Sequence, residues 1–309
     1  KVEELKIADN TLVIFMTDNG PQQPRYVAGM RGRKGSVYRG GVRVPFFLRY
    51  PAKFKGNREI EIPAAHIDIL PTLAEICQAK LPENRKIDGK SLLPLLTGKS
   101  VDWAGRPLFF YWNRRYPELY NNIALQQGKY KLVGQTNYNA ALEEFELFDI
   151  QQDPFEKENL VSDKKPEALA LKEELDRMYR ELITSENIVN PPRIMVGNQN
   201  ENPVFLNRND ADGERGIWAQ EEVYGKWLVY ISEGKYNVRF RFIQPVKSGG
   251  QMVLETGAII NQMKYNSSET EIIEMKNVSL PEMDCELIPF YAVNGKNIFP
   301  FWVEVERIF

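Results

Sequence analysis

The spacing of apolar residues changes once along this chain, and this change limits the fold more than any other feature. Up to about residue 185, short apolar runs alternate with segments whose apolar residues recur every three or four positions, as in an α/β fold. From about residue 203 apolar and polar residues mostly alternate, as in half-buried strands. Residues 187–202 are rich in Asn, Gln and Pro, which indicates a linker. We therefore predict two domains, 1–190 and 200–309.

The first domain is predicted to contain several strands and two helices. Leu12–Met16 is expected to form a buried strand, and residues 42–50 a second strand bent or placed at an edge by Pro45. The segments PLFFYW, KYKLVG and FELFDI predict a small antiparallel sheet, and a helix is expected from Pro166 to about residue 185. A further helix is expected over residues 68–78, with an apolar face made of Leu70, Leu73, Ile76 and Cys77.

The second domain shows its alternation most clearly in the segment GKYNVRFRF. One face of this strand would carry Tyr236, Val238, Phe240 and Phe242, and the other Asn237, Arg239 and Arg241. Turn signals separate similar runs up to the chain end. This pattern predicts an all-β sandwich of the jelly-roll kind.

Composition and charge exclude several classes of protein. The net charge of −2 gives no overall case for nucleic-acid or membrane binding, and no apolar run is long enough to span a bilayer. The single histidine, His66, rules out a His-rich zinc site. Cys77 and Cys285 form neither a metal nor a redox spacing. Because the chain enters a strand soon after Lys1 without a signal pattern, we expect it to be a fragment.

The first candidate site is the sequence Thr17-Asp18-Asn19-Gly20, directly after the first predicted strand. Ligands gather at the carboxyl ends of strands in open α/β sheets, and the oxygens of Asp18 and Asn19 suit a hard cation such as Ca²⁺. However, Asn-Gly is also a common hairpin turn. Taken alone, the motif favours a turn over a metal site.

The second candidate site is a cationic, glycine-rich loop over residues 31–43. It carries five cations in thirteen residues, Arg31, Arg33, Lys34, Arg39 and Arg43. Glycines allow the backbone to approach an anion, and a lysine supplies a compact charge for a tetrahedral oxyanion. Composition alone leaves an anion site and a solvated basic turn equally open. The nearby candidate cation site favours the anion site.

Four segments together resemble the second half of the sulfatase family, the type that uses a formylglycine nucleophile. They stand in the family's order over residues 1 to about 185. The resemblance implies that the first domain is the C-terminal part of an alkaline-phosphatase-like sandwich with a small antiparallel subdomain. The four segments are ADNTLVIFMTDNG, MRGRKGSVYRGGVRVPFFLRYP, HIDILPTLAEICQ and ELFDIQQDPFEKENLV.

The resemblance implies roles for a few residues. Asp18 and Asn19 would be two of the Ca²⁺ ligands, and Lys34 would contact the sulfate. Arg39 stands where the family usually has Glu, so we expect it to affect loop packing or substrate choice. The family often has His after Asp-Asn-Gly, where this chain has Pro21-Gln22-Gln23, and His66 is expected to be structural. The segments Gly40-Gly41-x-Arg43 and Asp153-Pro154 also resemble structural elements.

The family's nucleophile motif, Cys or Ser followed by x-Pro-Ser-Arg, is absent from these 309 residues. The nucleophile and the other metal ligands would belong to a missing N-terminal part of the sulfatase domain. We therefore expect the chain alone to be inactive as a sulfuric ester hydrolase. The resemblance also implies a periplasmic or secreted whole protein.

The substrate implied by the resemblance is a sulfated carbohydrate or an aryl sulfate. Two other functions stay open: a phosphatase or phosphonate hydrolase of the same superfamily, and a non-enzymatic glycan-binding remnant. In the β-rich tail, Trp218, Trp227 or Trp302 would stack on sugars in the last case. Packing of these residues into the sandwich core is the favoured alternative.

Overall fold

The computed structural model describes residues 1–23, 26–99, 103, 105–113, 116–208, 210–211 and 225–309. The chain divides into two compact units, Lys1–Thr184 and Ser185–Phe309. Each unit has its own hydrophobic core. In the part of the chain that is described, no helix has the length and apolar character needed to cross a bilayer.

The first unit is mixed α/β. Its strands are β1 (Val13–Met16), β2 (Phe46–Arg49), β3 (Leu108–Tyr111), β4 (Ile123–Gln127), β5 (Tyr130–Gly134) and β6 (Glu146–Asp149). Its helices are α1 (Arg39–Val42), α2 (Ile69–Cys77), α3 (Leu93–Leu96) and α4 (Lys165–Ile183).

A four-stranded antiparallel sheet in the order β3-β4-β5-β6 forms the centre of this unit. Because side chains alternate across a sheet, Leu125 and Leu132 face one side and pack with Leu171 and Leu175 of α4. Ala124, Val133 and Phe148 face the other side and pack with Val37 and Tyr38 of the cationic loop. The sheet therefore supports the long helix on one face and the loop on the other.

This sheet contains the three predicted strands and one that was not predicted, β4. Strand β4 has the sequence IALQQ. Its first three residues are apolar and buried on both faces, but the two glutamines at its end obscure the strand pattern in the sequence. Helix α4 begins at Lys165, next to the predicted Pro166 start, and buries Leu171 and Leu175 as expected.

Strands β1 and β2 form a separate antiparallel ladder of two strands. The predicted burial of β1 is wrong for the described residues, because one face of this ladder is exposed. Phe15 is 59% exposed and Phe47 is 65% exposed, and their ring centroids lie 6.1 Å apart. The predicted strand over residues 42–50 starts only after Pro45, since residues 39–42 form the short helix α1.

Helix α2 buries a different face from the one predicted. Pro71, Thr72 and Ala74 are buried, whereas Leu70 and Cys77 are exposed. The reason is a polar contact: the Thr72 hydroxyl donates to the Asp68 carbonyl (2.6 Å) and accepts from the Leu92 amide (2.8 Å). Hydrogen bonding, and not apolar periodicity, sets the orientation of this helix.

Asp68, at the start of α2, is a fully buried carboxylate with a complete set of donors. Arg106 donates to both of its oxygens (2.5 and 2.7 Å), and the amides of Ala65 and Lys90 each donate at 2.8 Å. Burial alone would raise the pKa of Asp68, but these four donors hold it below its usual value. Asp68 thus fixes the turn that precedes the helix.

The second unit is almost all β. It begins with a short helix, α5 (Glu186–Val189). Its strands are β7 (Ile194–Val196), β8 (Val204–Asn207), β9 (Trp227–Ile231), β10 (Gly234–Val246), β11 (Gly250–Thr256), β12 (Ile259–Tyr265), β13 (Thr270–Leu280), β14 (Met283–Val293), β15 (Lys296–Ile298) and β16 (Trp302–Ile308).

Two sheets face each other in this unit. One has the order β13-β10-β16-β8, and the other β12-β11-β14-β9, extended at its edge by β7 in parallel to β9. This arrangement is the strand order of a jelly roll, as the sequence predicted. The side chains predicted to share one face of β10 are all buried between the sheets: Tyr236, Val238, Phe240 and Phe242.

The predicted linker over residues 187–202 is partly structured. Strand β7, Ile194–Val196, lies within it and belongs to the sheet of the second unit. Trp227 lies in the sandwich core and donates to the Asn207 carbonyl (2.8 Å), so its packing role is confirmed. Trp302 is partly exposed beside Phe205, and Trp218 lies outside the described residues.

Candidate functional site

The metal-corner candidate and the cationic loop, which are separate in sequence, lie side by side in the first unit. The Gly20 amide donates to the Gly41 carbonyl (2.8 Å), and the Lys34 amide donates to the Pro21 carbonyl (3.1 Å). The turn after β1 is therefore hydrogen-bonded to the loop at two points. The two segments that carry the predicted candidate sites are thus neighbours in the fold, and their function stays a prediction.

Three glycines make this close approach possible. A Cβ atom on Gly20 would lie 1.8 Å from the Gly40 carbonyl oxygen. One on Gly40 would lie 2.2 Å from the Gly32 oxygen, and one on Gly41 would lie 2.0 Å from the Ser36 oxygen. Because no Cβ fits at these distances, backbone packing requires glycine at all three positions.

We expect Gly20→Ala to destabilise the first unit by about 1–3 kcal/mol, because the added methyl group overlaps the Gly40 carbonyl. Gly56→Ala is the matched control, since nothing lies within 4 Å of its Cβ position. Removing a flexible glycine there should be neutral or slightly stabilising. Amide hydrogen exchange in strand β5, followed at increasing urea concentrations, would measure the stability of both variants. Equal stability of the two variants would contradict the packing described here.

Glu146 of β6 holds the start of the loop. It accepts from the Arg31 guanidinium (2.8 Å) and from the Tyr38 hydroxyl. The Arg31 guanidinium also lies 3.9 Å from the centre of the Tyr38 ring, in a cation–π contact. Burial, together with the carboxylate of Glu146, raises the pKa of Tyr38 well above its usual value. Arg31 therefore acts in loop packing.

Glu156, from the segment that carries Asp153-Pro154, holds the end of the loop. One of its oxygens accepts from Lys131 (2.6 Å), and both of these side chains are fully buried. The other oxygen accepts from the Arg39 amide (2.7 Å). Burial lowers the pKa of Lys131, and the Glu156 carboxylate opposes that effect.

Arg39, which departs from the family pattern, points its guanidinium at the Ile150 carbonyl (3.3 Å). Burial lowers its pKa, and the charge of the nearby Arg43 adds to this effect. Arg39 is thus used in the packing of the loop against the sheet.

The three remaining cationic side chains of the loop are available to bind an anion. Arg33, Lys34 and Arg43 are exposed, and within the described ranges their side chains have no ion-pair partner. Lys34 stands next to the hydrogen bond that joins the loop to the metal-corner candidate. The contact of its ammonium group with an anion stays a prediction.

Asp18 and Asn19 offer oxygen atoms at this junction. One Asp18 oxygen accepts from the Asn19 amide (3.0 Å), and the Asn19 side chain donates to the Gly20 carbonyl (2.8 Å). The second Asp18 oxygen and the Asn19 side-chain oxygen carry no protein hydrogen bond in the described region. Two hard oxygen donors fit Ca²⁺, which takes six to eight oxygens. No group of three or more His, Cys, Asp or Glu side chains suited to a metal is found among the described residues.

His66 lies close to this corner. Its Nε2 atom is 2.8 Å from the Thr17 carbonyl oxygen, so the ring supports the backbone next to Asp18. This contact is consistent with the predicted structural role.

Comparisons with known proteins show what the first unit is similar to. Residues 33–183 match the family model described as N-sulphoglucosamine sulphohydrolase, C-terminal. Over 122 residues the chain is 36% identical to steryl-sulfatase of Homo sapiens, covering 36% of this chain and 21% of that protein. The chain is thus similar to sulfatases. Its matched region corresponds to the family's C-terminal portion, as the four sequence motifs predicted.

Two further comparisons support the sulfatase assignment and its fold. The chain is 31% identical over 193 residues to the N-acetylgalactosamine-6-O-sulfatase of Bacteroides thetaiotaomicron, covering 54% of this chain and 36% of that protein. The crystal structure of Ps i-CgsB aligns with a TM-score of 0.50 and 24% identity, covering 57% of this chain and 38% of that chain. At this identity the likeness shows the fold alone. The chain spans well under half the length of both curated relatives.

Sequence reasoning missed the residues that hold the site in place. Glu146 and Glu156 lie within a matched family segment, but nothing in the pattern showed that they hold the loop. Asn122, which binds the loop through its amide side chain, gave no signal in the sequence.

Proposed function

We propose that this chain supplies the sulfate-binding side of a sulfuric ester hydrolase. The observation that carries the proposal is the hydrogen-bonded junction of the Asp18-Asn19 corner with the Lys34 loop. These hydrogen bonds support the proposal because they join the backbone of the turn that carries Asp18 and Asn19 to the backbone of the loop that carries Lys34. The side-chain oxygens of the turn would bind a hard cation, and the ammonium group of the loop would bind a sulfate ester.

In this proposal Lys34 binds the sulfate oxygens and stabilises the negative charge that builds up as the ester bond breaks. Asp18 and Asn19 would hold part of the shell of a Ca²⁺ ion, and His66 would keep the Thr17 backbone in place beside them. When bound, Ca²⁺ would supply Lewis-acid stabilisation of the ester oxygens. Two backbone hydrogen bonds hold the loop against the corner.

The nucleophile would come from outside these residues, since the formylglycine motif is absent from the sequence. A segment N-terminal to Lys1 would supply it, together with the remaining metal ligands. The exposed apolar side chains of the β1–β2 ladder support such a partner segment, because they would be buried beneath it. The whole protein, meaning the product of the complete gene, is accordingly proposed to be periplasmic or secreted.

The proposed substrate class is a sulfated carbohydrate, with an aryl sulfate as the alternative. One relative is named for N-acetylgalactosamine 6-O-sulfate and another for a steryl sulfate, so the family names alone leave both open.

A paired assay tests the proposal. The whole protein should hydrolyse 4-nitrophenyl sulfate faster than 4-nitrophenyl phosphate, whereas the 309-residue chain alone should hydrolyse neither. A preference for the phosphate ester would favour the rival phosphatase or phosphonate hydrolase. Turnover by the chain alone would show that it contains its own nucleophile and would overturn the proposed division of the site.

Glycan binding without catalysis is the second candidate, and one feature of the second unit favours it. Trp302 and Phe205 form an edge-to-face pair (ring centroids 5.8 Å apart) on the outer face of the sheet. Arg239 beside them is paired with Glu304 (2.7 Å). Aromatic rings next to paired donors and acceptors suit a sugar. Loss of polysaccharide retention in Trp302→Ala, but not in Ile260→Ala on the other sheet, would support this role.

A further inference from the structure

Lys34 occupies one corner of a tight turn, residues 33–36, which we call the Lys34 turn. The Ser36 amide donates to the Arg33 carbonyl (3.0 Å) and closes this turn, with Lys34 at its second position. Gly35 has a φ of +82°, the left-handed conformation that glycine supplies at the third position of a turn. On one side the Lys34 amide donates to the Pro21 carbonyl (3.1 Å). The course of the lysine side chain therefore depends on what holds the other side.

Asn122, the residue before β4, holds the other side of the Lys34 turn. Its side-chain nitrogen donates to the Gly35 carbonyl (2.9 Å), and its side-chain oxygen accepts from the Val37 amide (3.2 Å). These contacts lie on either side of Ser36 and join residues that are 87 and 85 positions apart in the sequence. Because β4 is an inner strand of the four-stranded sheet, Asn122 ties the turn to the centre of the first unit.

The carboxamide of Asn122 uses all four of its hydrogen-bonding positions. Its nitrogen also donates to the Trp112 carbonyl (2.9 Å), and its oxygen also accepts from the Gln135 side chain (3.0 Å). The nitrogen thus faces two carbonyls and the oxygen faces two N–H donors, so the amide has one orientation that satisfies every partner. An aspartate of the same size would turn a carboxylate oxygen toward the two carbonyls. The contact therefore requires an amide.

The backbone of Asn122 imposes a second requirement. Its φ is +51°, in the left-handed region that glycine enters freely and that asparagine tolerates better than most other residues. Glycine would fit this backbone but carries no amide. A left-handed residue of this kind persists only where the surrounding contacts fix it, and such residues cluster at functional sites. Asparagine meets both requirements at position 122.

We propose that Asn122 is a positioning residue for Lys34, because it sets the turn from which the lysine reaches the sulfate ester. This inference rests on the proposed function, since it names what holds the group that would bind the ester. Asn122 acts only through Lys34 and touches neither the ester nor the cation. Without its amide the Pro21 contact would remain, so the ammonium group would be displaced and not lost. A displacement of about 1 Å can cost roughly 10²-fold in rate.

A double-mutant cycle on the whole protein tests this role. Asn122→Gly keeps the left-handed backbone and removes the amide, and it should lower kcat/KM on 4-nitrophenyl sulfate by roughly 10–100-fold. In the Lys34→Ala background the same change should cost less than about threefold, because the group that Asn122 positions is already gone. Asn121→Gly is the matched control, since that side chain donates to Glu118 instead (2.8 Å), and it should leave the rate nearly unchanged.

Two results of this cycle would overturn the proposal. An equal loss from Asn122→Gly with and without Lys34 would show that Asn122 acts through something else. Asn122→Asp keeps the size of the side chain but cannot donate to the Gly35 carbonyl, so wild-type activity in this variant would also contradict the role. Both results require a wild-type protein that hydrolyses the sulfate ester. Absence of that activity would contradict the proposed function itself.

Amide hydrogen exchange in the 309-residue chain tests the contact without catalysis. Asn122→Gly should raise the exchange rates of the Ser36 and Val37 amides at least tenfold, while the amides of β5 stay protected. Asn121→Gly should change neither set. Unchanged exchange at Ser36 and Val37 would refute the positioning role, whatever the whole protein hydrolyses. Faster exchange, in a chain whose whole protein does not hydrolyse sulfate esters, would refute the hydrolysis and support Asn122 as the residue that holds the Lys34 turn.

Discussion

Replacing Lys34 with alanine is expected to lower kcat/KM of the whole protein on sulfate esters by about 10²–10³-fold, the usual effect of removing one positioned charge from a transition state. Lys34 is exposed and has no ion-pair partner within the described residues, so its loss should leave folding intact. The effect should be similar for sugar and aryl esters, because the lysine binds the part that they share.

Two variants serve as controls for this result. Arg33→Ala removes the neighbouring exposed cation, and we expect its effect to be at least tenfold smaller if Lys34 alone binds the ester at the metal corner. Lys34→Arg keeps the charge but changes its geometry, so partial activity is expected. Steady-state rates on 4-nitrophenyl sulfate, with thermal unfolding as a check on folding, would measure all three. If Arg33→Ala lost as much activity as Lys34→Ala, the loop would act through its total charge, and the role given to Lys34 would be wrong.

The second unit was predictable because one physical rule governs it throughout. In β10, burial alternates strictly from Tyr236 to Phe242, since a sheet between a core and solvent exposes every second side chain. No polar interaction competes with that rule in the buried face of this strand. The alternation in the sequence therefore predicted both the strand and its orientation.

The first unit was harder to predict because buried polar groups decide its packing. The Thr72 hydroxyl, bonded to Asp68 and Leu92, turns α2 away from the face that its leucines predicted. Hydrogen-bond partners that are far apart in sequence leave no periodic signal. The predicted burial of β1 was wrong for a different reason. An apolar run indicates that a strand is suited to burial, but it does not indicate that another segment covers the strand.

The candidate site lies between these two cases. Its members Asp18 and Lys34 came from motifs whose individual meaning was open, and their roles in catalysis stay predictions. What the sequence did not show was how the turn and the loop are joined, which is through the Gly20 amide and the Gly41 carbonyl. The three glycines at the junction are visible in the sequence, but the backbone oxygens that exclude a side chain at each of them are not.

Glu156→Ala is expected to destabilise the first unit by about 3–5 kcal/mol, because it leaves the Lys131 ammonium buried without its partner. The Arg39 amide would lose its acceptor as well, so the end of the cationic loop should loosen. The exposed Glu158, two residues away, is the matched control, and Glu158→Ala should change stability by less than about 0.5 kcal/mol. Because the chain has two units, unfolding is best followed through amide exchange of β5, which reports on the first unit alone.

A double variant separates the charge from the structure. Lys131→Met combined with Glu156→Leu replaces the buried pair by apolar side chains of similar size and should recover most of the stability lost in Glu156→Ala. The double variant still lacks the acceptor for the Arg39 amide, so exchange at that amide should stay fast while β5 is protected again. If Glu156→Ala were no less stable than Glu158→Ala, the pair would not be buried as described. If the double variant protected the Arg39 amide too, Glu156 would not be what holds the sulfate-binding loop to the sheet.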